Sequence, residues 1–240
     1  MRSPLTAELF SNPPALHGEG SQYWGLAWPA LAWLEETVQE GMATLETGAG
    51  SSTMMFAACG AEHEAVTPSA DEAERIKTEC ERRGIPTDKL RFQIGSSHEV
   101  LPAWEARPLD LVLVDGAHGF PYPILDWWYL APHVKVGGRM LLDDAYMAPV
   151  SVLVDYLKSR DSWRVEDTVG YRTVIVRKLA DELPEFDWSG ERIGRGLSFN
   201  YLPPARRARA AVRHRVFSTN AGLAAVRFAR RRLGFAFRKR

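Results

Sequence analysis

Two almost entirely apolar segments that end in acidic residues restrict the fold of this chain more than any other feature. The segment "LDLVLVDG" turns polar at Asp115, and "GGRMLLDD" turns polar at Asp143 and Asp144. Short apolar segments of this kind are typical of strands buried on both faces, as in a parallel sheet covered by helices. The three acids are therefore expected at the carboxyl ends of two central strands.

Helical patterns alternate with strand patterns along the chain, which predicts an α/β fold with helices on both faces of a mostly parallel sheet. Strands are predicted in "MATLE", "HEAVTP", "KLRFQIG", the two segments that end in acids, and "WRVEDTVGYRTVIVRK". The last stretch contains two strands joined at Gly170, and so tight a connection makes them antiparallel. Helices are predicted at 29–40, 51–59, 69–83, 124–131 and 150–159, and residues 1–26 are interpreted as an irregular arm.

The composition is that of an ordinary soluble globular protein, with 240 residues, 45% of them hydrophobic and 25% charged. Two cysteines, Cys59 and Cys80, are too few for a disulfide framework or a four-cysteine metal site, and both are predicted to fill the core. The amino terminus lacks the continuous apolar core of a secretion signal, and no run of about 18 apolar residues could span a membrane. These observations predict a cytoplasmic protein.

The net charge of zero conceals an acidic body with a basic carboxyl-terminal tail. Residues 201–240 contain 11 Arg and 1 Lys but no acidic residue. The first interpretation of residues 205–240 is a solvated tail. The functional alternative is a basic amphipathic helix in peripheral contact with an anionic membrane, and its apolar face would consist of Leu223, Val226, Leu233 and Phe237. Nucleic-acid binding is disfavoured because the tail carries no recognition motif.

The first predicted strand leads into the glycine-containing motif "TLETGAGSST". Gly48 and Gly50 would let the backbone turn sharply and approach a ligand closely. The dinucleotide fingerprint requires Gly or Ala where this chain has Thr53, and a phosphate-binding loop would require a lysine. Glu46 would repel a pyrophosphate but suits a cationic ligand. A nicotinamide-dependent oxidoreductase is disfavoured for these reasons.

An acid before G-x-G at the end of a first strand is the first motif of the class I S-adenosylmethionine-dependent methyltransferases, which this sequence resembles. The resemblance is carried by "LETGAGSST", "LDLVLVDGAHGFPYPILDWWYLAP", "KVGGRMLLDD" and the closing hairpin. It implies a Rossmann-like sheet of seven strands with the last strand antiparallel. It also implies S-adenosylmethionine as cofactor, whose sulfonium and amino groups are compatible with Glu46.

The resemblance implies a set of cofactor-binding residues at the carboxyl ends of the first four strands. They are Glu46, Gly48, Ala49, Gly50, Thr53, Thr67, Ser96, Ser97 and Asp115. One departure concerns the ribose, because the family usually has an acid at the end of the second strand, where this chain has Thr67 and Pro68. Asp71 or Glu72 could reach back to that point, although Ser69 and Glu72 have the spacing of a helix capping box.

The acids that follow strands four and five are expected to converge, because adjacent parallel strands lie about 4.8 Å apart. Three clustered carboxylates repel one another unless a cation lies between them. Oxygen ligands of this kind suit magnesium or another divalent cation. The arrangement is similar to that of metal-dependent small-molecule O-methyltransferases of the catechol and macrocin types, which implies a metal site at Asp115, Asp143 and Asp144. Helix capping by Asp115 and Asp143 is the alternative.

The "DGAH" segment places His118 three residues after Asp115, and the macrocin-type resemblance implies that the histidine is a catalytic base. The implied reaction is an in-line attack by a substrate hydroxyl, with the metal lowering the pKa of that hydroxyl and His118 accepting its proton. A loop histidine without a catalytic role is the alternative. His17, Tyr23 and Trp24 of the arm could either line the site or pack in the core.

The sequence therefore predicts a metal-assisted O-methyltransferase acting on a small hydroxylated acceptor such as a sugar, a polyketide or a glycolipid. The alternative is a catalytically inactive methyltransferase-fold module that binds a membrane surface or a protein partner through its basic tail. A homo-oligomer is compatible with either. The predicted organisation is an arm and helix at 1–40, a methyltransferase domain at 41–179, an irregular linker at 180–204 and the tail at 205–240.

Overall fold

The structure is a computed structural model that describes residues 4–17, 25–181 and 202–217. The chain divides into two compact units, residues 1–186 and residues 187–240. Tyr23, Trp24 and the apolar tail positions from Leu223 to Phe237 lie outside the described residues. Most of the predicted linker does so as well.

The first unit is built on a seven-stranded sheet in the order β3-β2-β1-β4-β5-β7-β6. Its strands are β1 Ala43–Thr47, β2 Glu62–Thr67, β3 Leu90–Ile94, β4 Leu109–Val114, β5 Val134–Leu142, β6 Trp163–Val169 and β7 Thr173–Lys178. Strands β1 to β5 pair in parallel, and β7 pairs antiparallel with both β5 and β6. The prediction of a Rossmann-like sheet with an antiparallel last strand is confirmed.

Helices cover both faces of the sheet. They are α1 Leu5–Ser11, α2 Trp28–Thr37, α3 Ser51–Ala58, α4 Ala70–Arg83, α5 Ser97–Val100, α6 Tyr122–Leu130 and α7 Ala148–Lys158. Alternate residues of β4 belong to different cores: Leu111 and Leu113 pack with α1 to α4, whereas Val112 and Val114 pack with α6 and α7. This two-sided burial explains why the strand is apolar at nearly every position.

The helix that follows β2 begins and ends where its sequence predicts. Ser69 Oγ accepts a hydrogen bond from the backbone N–H of Glu72 at 3.1 Å, which satisfies one of the unpaired donors at the start of α4. Gly84 ends the helix in the left-handed conformation, with φ 66°. The Glu72 side chain contacts Thr67 and His17 instead of the backbone N–H of Ser69. Only one of the two hydrogen bonds of the predicted capping box is therefore formed.

The interpretation of residues 1–26 as an irregular arm is wrong for part of its length. Residues Leu5–Ser11 form α1, and Leu9 is fully buried. The Glu35 carboxylate of α2 accepts hydrogen bonds from the first backbone N–H groups of α1. Arg83 of α4 contacts Glu8 at 2.7 Å. The partners of α1 lie far along the chain, which is why its sequence alone gave no clear signal.

Residues Pro204–Phe217 of the second unit form α8, in which Arg206, Arg207 and Arg209 are exposed. Among the described helices, none has the length and apolar character needed to cross a membrane.

Candidate functional site

The glycine motif forms a sharp turn between β1 and α3 at the carboxyl edge of the sheet. Gly48 has φ +89°, and a Cβ at this position would lie 2.4 Å from the carbonyl oxygen of Asp115. Its N–H donates to the carbonyl oxygen of Val66 at 2.9 Å. The turn therefore packs directly against the loop that follows β4, and only glycine fits there.

Glu46 anchors this turn from inside the protein. Its carboxylate accepts hydrogen bonds from Ser52 Oγ at 2.6 Å, from Thr53 Oγ1 and from His63 Nε2 at 3.1 Å. Thr53 Oγ1 in turn accepts the N–H of Gly50 at 2.9 Å. The two residues that exclude a dinucleotide fingerprint, Glu46 and Thr53, thus form one hydrogen-bonded unit that fixes the turn.

The side chains of Glu46, Thr53 and Thr67 are buried at the carboxyl edge of the sheet. Glu46 is 1% exposed, and Thr53 and Thr67 are equally buried, so none of these side chains presents a polar group on the surface of the site. That they bind a cofactor directly stays a prediction. Within the protein, Glu46 and Thr53 support the backbone of the glycine turn, and Thr67 contacts Glu72.

A carboxylate does lie at the end of β2, although the sequence has Thr67 and Pro68 there. Glu72 reaches back from α4, and its Oε2 accepts a hydrogen bond from Thr67 Oγ1 at 2.7 Å. Its Oε1 lies 2.6 Å from His17 Nδ1. These hydrogen bonds outweigh the effect of burial and lower the pKa of Glu72. His17 also borders Gly50, since a Cβ there would lie 3.6 Å from the imidazole ring.

The loop after β3 brings Ser96 and Ser97 to the same edge, where both are half-buried. Behind them lies Asp126 of α6, which is fully buried beside the hydroxyls of Ser97 and Thr47. Burial raises the pKa of Asp126. Sequence reasoning missed this residue because an acid inside "ILDWWYL" looks like an ordinary polar position on a helix.

Strand register explains why the acids of β4 and β5 converge. Val114 pairs with Leu142, so Asp115 and Asp143 each extend one residue beyond a matched pair, and the N–H of Asp143 donates to the carbonyl oxygen of Val114 at 3.1 Å. Asp144 follows in the left-handed conformation, with φ 53°. The predicted convergence of the three carboxylates is present.

Arg172, which the sequence analysis did not single out, lies against two of these acids. Antiparallel pairing of β5 with β7 brings Thr173 and Arg172 alongside Asp143 and Asp144. Arg172 Nη2 lies 2.6 Å from Asp143 Oδ2 and 2.7 Å from Asp144 Oδ1. Thr173 Oγ1 donates to Asp143 Oδ1 at 2.5 Å. The cation beside these carboxylates is therefore a guanidinium.

The predicted magnesium site requires carboxylate oxygens that are free to bind a cation. Both oxygens of Asp143 accept hydrogen bonds from protein groups, and Asp144 Oδ1 contacts the guanidinium. Among the described residues, no group of three or more His, Cys, Asp or Glu side chains is arranged to hold a metal ion. The acids do not fit a divalent cation in this arrangement, because Arg172 already supplies the positive charge there.

His118 lies between the first and last of the three acids. Its Nε2 is 3.4 Å from Asp115 Oδ1, and its Nδ1 is 3.4 Å from Asp144 Oδ2. The nearby Asp115 carboxylate raises the pKa of His118. Burial raises the pKa of Asp115 to about 7. Two acids around one imidazole stabilise its protonated form, so the residues can accept and hold a proton at this point.

Exposed aromatic side chains occur on the loops that carry these groups. Phe120 follows His118, Tyr146 follows Asp144, and Tyr171 precedes Arg172; their exposures are 74%, 63% and 85%. The rings of Tyr146 and Tyr171 lie 6.3 Å apart. Large apolar side chains that are this exposed and this close to buried charged groups are typical of a binding surface.

Residues 45–145 match a family model described as a methyltransferase domain. No curated protein matches the chain significantly.

Three solved structures have a similar fold. The O-methyltransferase TomG from Streptomyces achromogenes, solved in complex with S-adenosylmethionine, is 17% identical with TM-score 0.55; the match covers 74% of this chain and 87% of TomG. A methyltransferase from Geobacter sulfurreducens is 11% identical with TM-score 0.59, over 75% and 91% of the two chains. A proposed O-methyltransferase from Klebsiella pneumoniae is 15% identical with TM-score 0.61, over 75% and 92%.

Proposed function

We propose that this chain is a class I S-adenosylmethionine-dependent methyltransferase that transfers the methyl group to a hydroxyl oxygen of a small acceptor; the match of residues 45–145 to a methyltransferase domain and the strand order of the sheet support this. The observation that carries the choice of oxygen is the position of His118 between Asp115 and Asp144, with 3.4 Å to each carboxylate. A hydroxyl must lose its proton as it is methylated. A base that two carboxylates support is suited to that step.

The cofactor would lie along the carboxyl ends of β1, β2 and β3. The backbone of the turn from Gly48 to Gly50 allows close approach, and Glu46 holds that turn in shape. The Glu72 carboxylate would accept hydrogen bonds from the ribose hydroxyls, in the place where the family usually has an acid on β2. Ser96 and Ser97 would border the adenine. TomG, which shares the fold, was solved with S-adenosylmethionine.

When bound, the cofactor supplies an electrophilic methyl group on sulfur. The chain's own residues position the acceptor oxygen and receive its proton. His118 takes that proton, and the imidazolium that results is stabilised by Asp115 and Asp144 on either side of the ring. The stabilisation of a charge that develops during the reaction is what accelerates it. Asp143 has no direct part in this scheme, because both of its oxygens are bound by Arg172 and Thr173.

The metal-assisted form of this reaction is not part of the proposal, because the acids of β5 are bound to Arg172. Chelation separates the two forms experimentally. A magnesium-dependent enzyme would lose turnover with a chelator and regain it with added magnesium. The reaction proposed here continues unchanged in the presence of the chelator.

The acceptor would contact the exposed aromatic rings of Phe120, Tyr146 and Tyr171. Aromatic rings bind flat partners, including other aromatic rings and the apolar faces of sugars. This favours a hydroxylated cyclic acceptor, such as a phenolic polyketide or a sugar. A glycolipid headgroup belongs to the same chemical class.

The proposal can be tested in two steps. Calorimetry with S-adenosylmethionine should give a saturable heat, and incubation with labelled cofactor and a panel of phenols and sugars should transfer label to oxygen. His118→Ala should retain cofactor binding and lose at least about a hundredfold in kcat. His133→Ala, a histidine before β5, serves as the matched control and should retain turnover. Cofactor binding without transfer to any acceptor would favour the inactive-module alternative.

A membrane contact through residues 205–240 is a separate proposal. It is supported by the exposed arginines Arg206, Arg207 and Arg209 of α8, since cationic helices bind anionic lipid surfaces. In a sedimentation assay with vesicles that contain phosphatidylserine, the full chain should pellet with the vesicles. A chain that ends at residue 204 should stay in the supernatant. Equal sedimentation of the two would argue against this contact.

A further inference from the structure

Arg172 supplies a cation to two of the three acids at this edge of the sheet. Its Nη2 contacts Asp143 at 2.6 Å and Asp144 at 2.7 Å, and Asp115 is close enough to interact with it electrostatically. Asp143 is fully buried, so its charge cannot be stabilised by water. A buried carboxylate without a cation would be strongly unfavourable.

The contacts of Asp143 are completed within the protein. Thr173 Oγ1 donates to one oxygen of this carboxylate and Arg172 Nη2 donates to the other. Arg172 itself is fixed on the β6–β7 hairpin, where its carbonyl oxygen accepts the N–H of Ala145 at 2.8 Å. Both the backbone and the side chain of Arg172 are therefore held in place.

A guanidinium and a divalent cation cannot share these oxygens. A hard cation needs several oxygen atoms directly around it, and Arg172 would both occupy them and repel the ion. We infer that Arg172 is the permanent cation of this site and replaces the divalent metal that similar O-methyltransferases use. The catalytic part of this inference rests on the function proposed above, whereas the part on cation exclusion does not.

The side chain can also contact an acceptor. A guanidinium has five N–H donors, and only Nη2 is used by Asp143 and Asp144. The side chain of Arg172 is 22% exposed, and its neighbour Tyr171 is 85% exposed. The free Nη1 donors would bind an acceptor oxygen next to the attacked hydroxyl, which is the position a metal would otherwise coordinate.

The first experiment measures manganese binding to the protein without cofactor, by calorimetry and by electron paramagnetic resonance. Wild type should bind manganese weakly. Arg172→Met removes the guanidinium from Asp143 and Asp144 and should bind it at least about tenfold more tightly. Arg177→Met is the matched control, since Arg177 lies on β7, which follows Arg172 directly, but pairs with Glu166, and it should behave as wild type. Wild-type affinity as high as that of Arg172→Met would overturn the inference.

The second experiment measures turnover with and without a chelator. Wild-type turnover should be unchanged, and Arg172→Met should lose most of its kcat and recover part of it when manganese is added. Chelator-sensitive wild-type turnover that magnesium restores would also overturn the inference. If no acceptor is methylated by any variant, the proposed function fails, and the manganese measurement still decides the inference.

Loss of the buried cation could prevent Arg172→Met from folding. Arg172→Lys keeps the charge and provides a second variant, whose fold can be checked by thermal unfolding. It should still exclude manganese as wild type does. Tight manganese binding by the folded lysine variant would contradict a cation-exclusion role for this position.

Discussion

The carboxylate of Glu72 accepts a hydrogen bond from Thr67 Oγ1 at 2.7 Å, which places an acid at the end of β2 where the sequence has none. An acid from α4 therefore lies where the family usually has one at the end of β2. Glu72→Gln removes the charge, while Ser69 Oγ can still accept the backbone N–H of residue 72 and cap α4. Affinity for S-adenosylmethionine should fall by about tenfold or more, as expected when a hydrogen bond to a charged group is lost. Calorimetry checks this.

The matched control for Glu72 is its neighbour Asp71, which is exposed in the same helical turn. Asp71→Asn should bind the cofactor as wild type does. Equal losses in the two variants would mean that the effect comes from the charge of the helix terminus rather than from a contact with the ribose.

Glu46 supports the glycine turn through Ser52, Thr53 and His63. Glu46→Gln weakens these charge-assisted hydrogen bonds and should lower the free energy of unfolding by about 1–3 kcal/mol. Cofactor affinity should fall as well, because the turn loses its support. Glu64→Gln is the control: Glu64 is a buried acid on the neighbouring strand, paired with Trp104 and Arg107. It should lose stability but keep cofactor affinity, as measured by denaturation and calorimetry.

Alanine substitutions at Gly48 and Gly137 distinguish the stability cost of backbone strain from that of a steric clash. Both have positive φ, +89° and +88°, but a Cβ at Gly48 would lie 2.4 Å from a backbone oxygen whereas a Cβ at Gly137 meets nothing within 4 Å. Gly137→Ala should cost only the backbone strain, about 1–2 kcal/mol. Gly48→Ala should cost about 1–3 kcal/mol more because of the overpacking. Equal costs in chemical denaturation would contradict the close contact between the two loops.

The pH dependence of turnover should follow His118. The pKa of His118 is raised by Asp115, and the imidazole accepts a proton only in its neutral form, which is populated above that pKa. The value of kcat/KM should therefore rise with pH, with a midpoint above the ordinary histidine value of about 6.5. Asp115→Asn should move the midpoint to lower pH as well as slow the reaction. A midpoint that stays fixed would argue against His118 as the base.

Stability at acidic pH should depend on Glu79, whose hydrogen bonds to Arg82 and Arg83 lower its pKa from 4.5 to about 2. A lowered pKa means that the contribution is fully present above pH 4.5 and is lost as the pH falls towards 2. Glu79→Gln should cost about 1 kcal/mol at neutral pH, and the difference should shrink below pH 4.5. Glu74→Gln, at an exposed acidic position of the same helix, is the control for the loss of one acidic side chain.

The sequence was sufficient to predict the sheet and the convergence of its acids. Apolar strands alternating with helices allow few arrangements, and the carboxyl ends of parallel strands share one edge, so Asp115 and Asp143 had to be neighbours. Arg172 could not be predicted in the same way. Its position depends on the register of the antiparallel strand β7, and a shift of one residue would turn its side chain to the other face.

The contacts of Glu46 and Glu72 could not be predicted from the sequence either. Whether an acid at the end of a strand faces a ligand or the interior depends on which donors surround it. Those donors include His63, on a strand that pairs with β1, and His17, far along the chain from Glu72. The sequence identified the chemical groups of the site, whereas their orientation is set by tertiary contacts.

The charge balance of the site has a consequence for the chain while it is being synthesised. Asp143 is synthesised 29 residues before Arg172. A growing chain that has just completed β5 therefore carries its acids before their cation exists, and β7 must still enter between β5 and β6. Until that strand is in place, the Asp143 carboxyl group has to remain in contact with water. The site becomes complete only when the last strand of the sheet has left the ribosome.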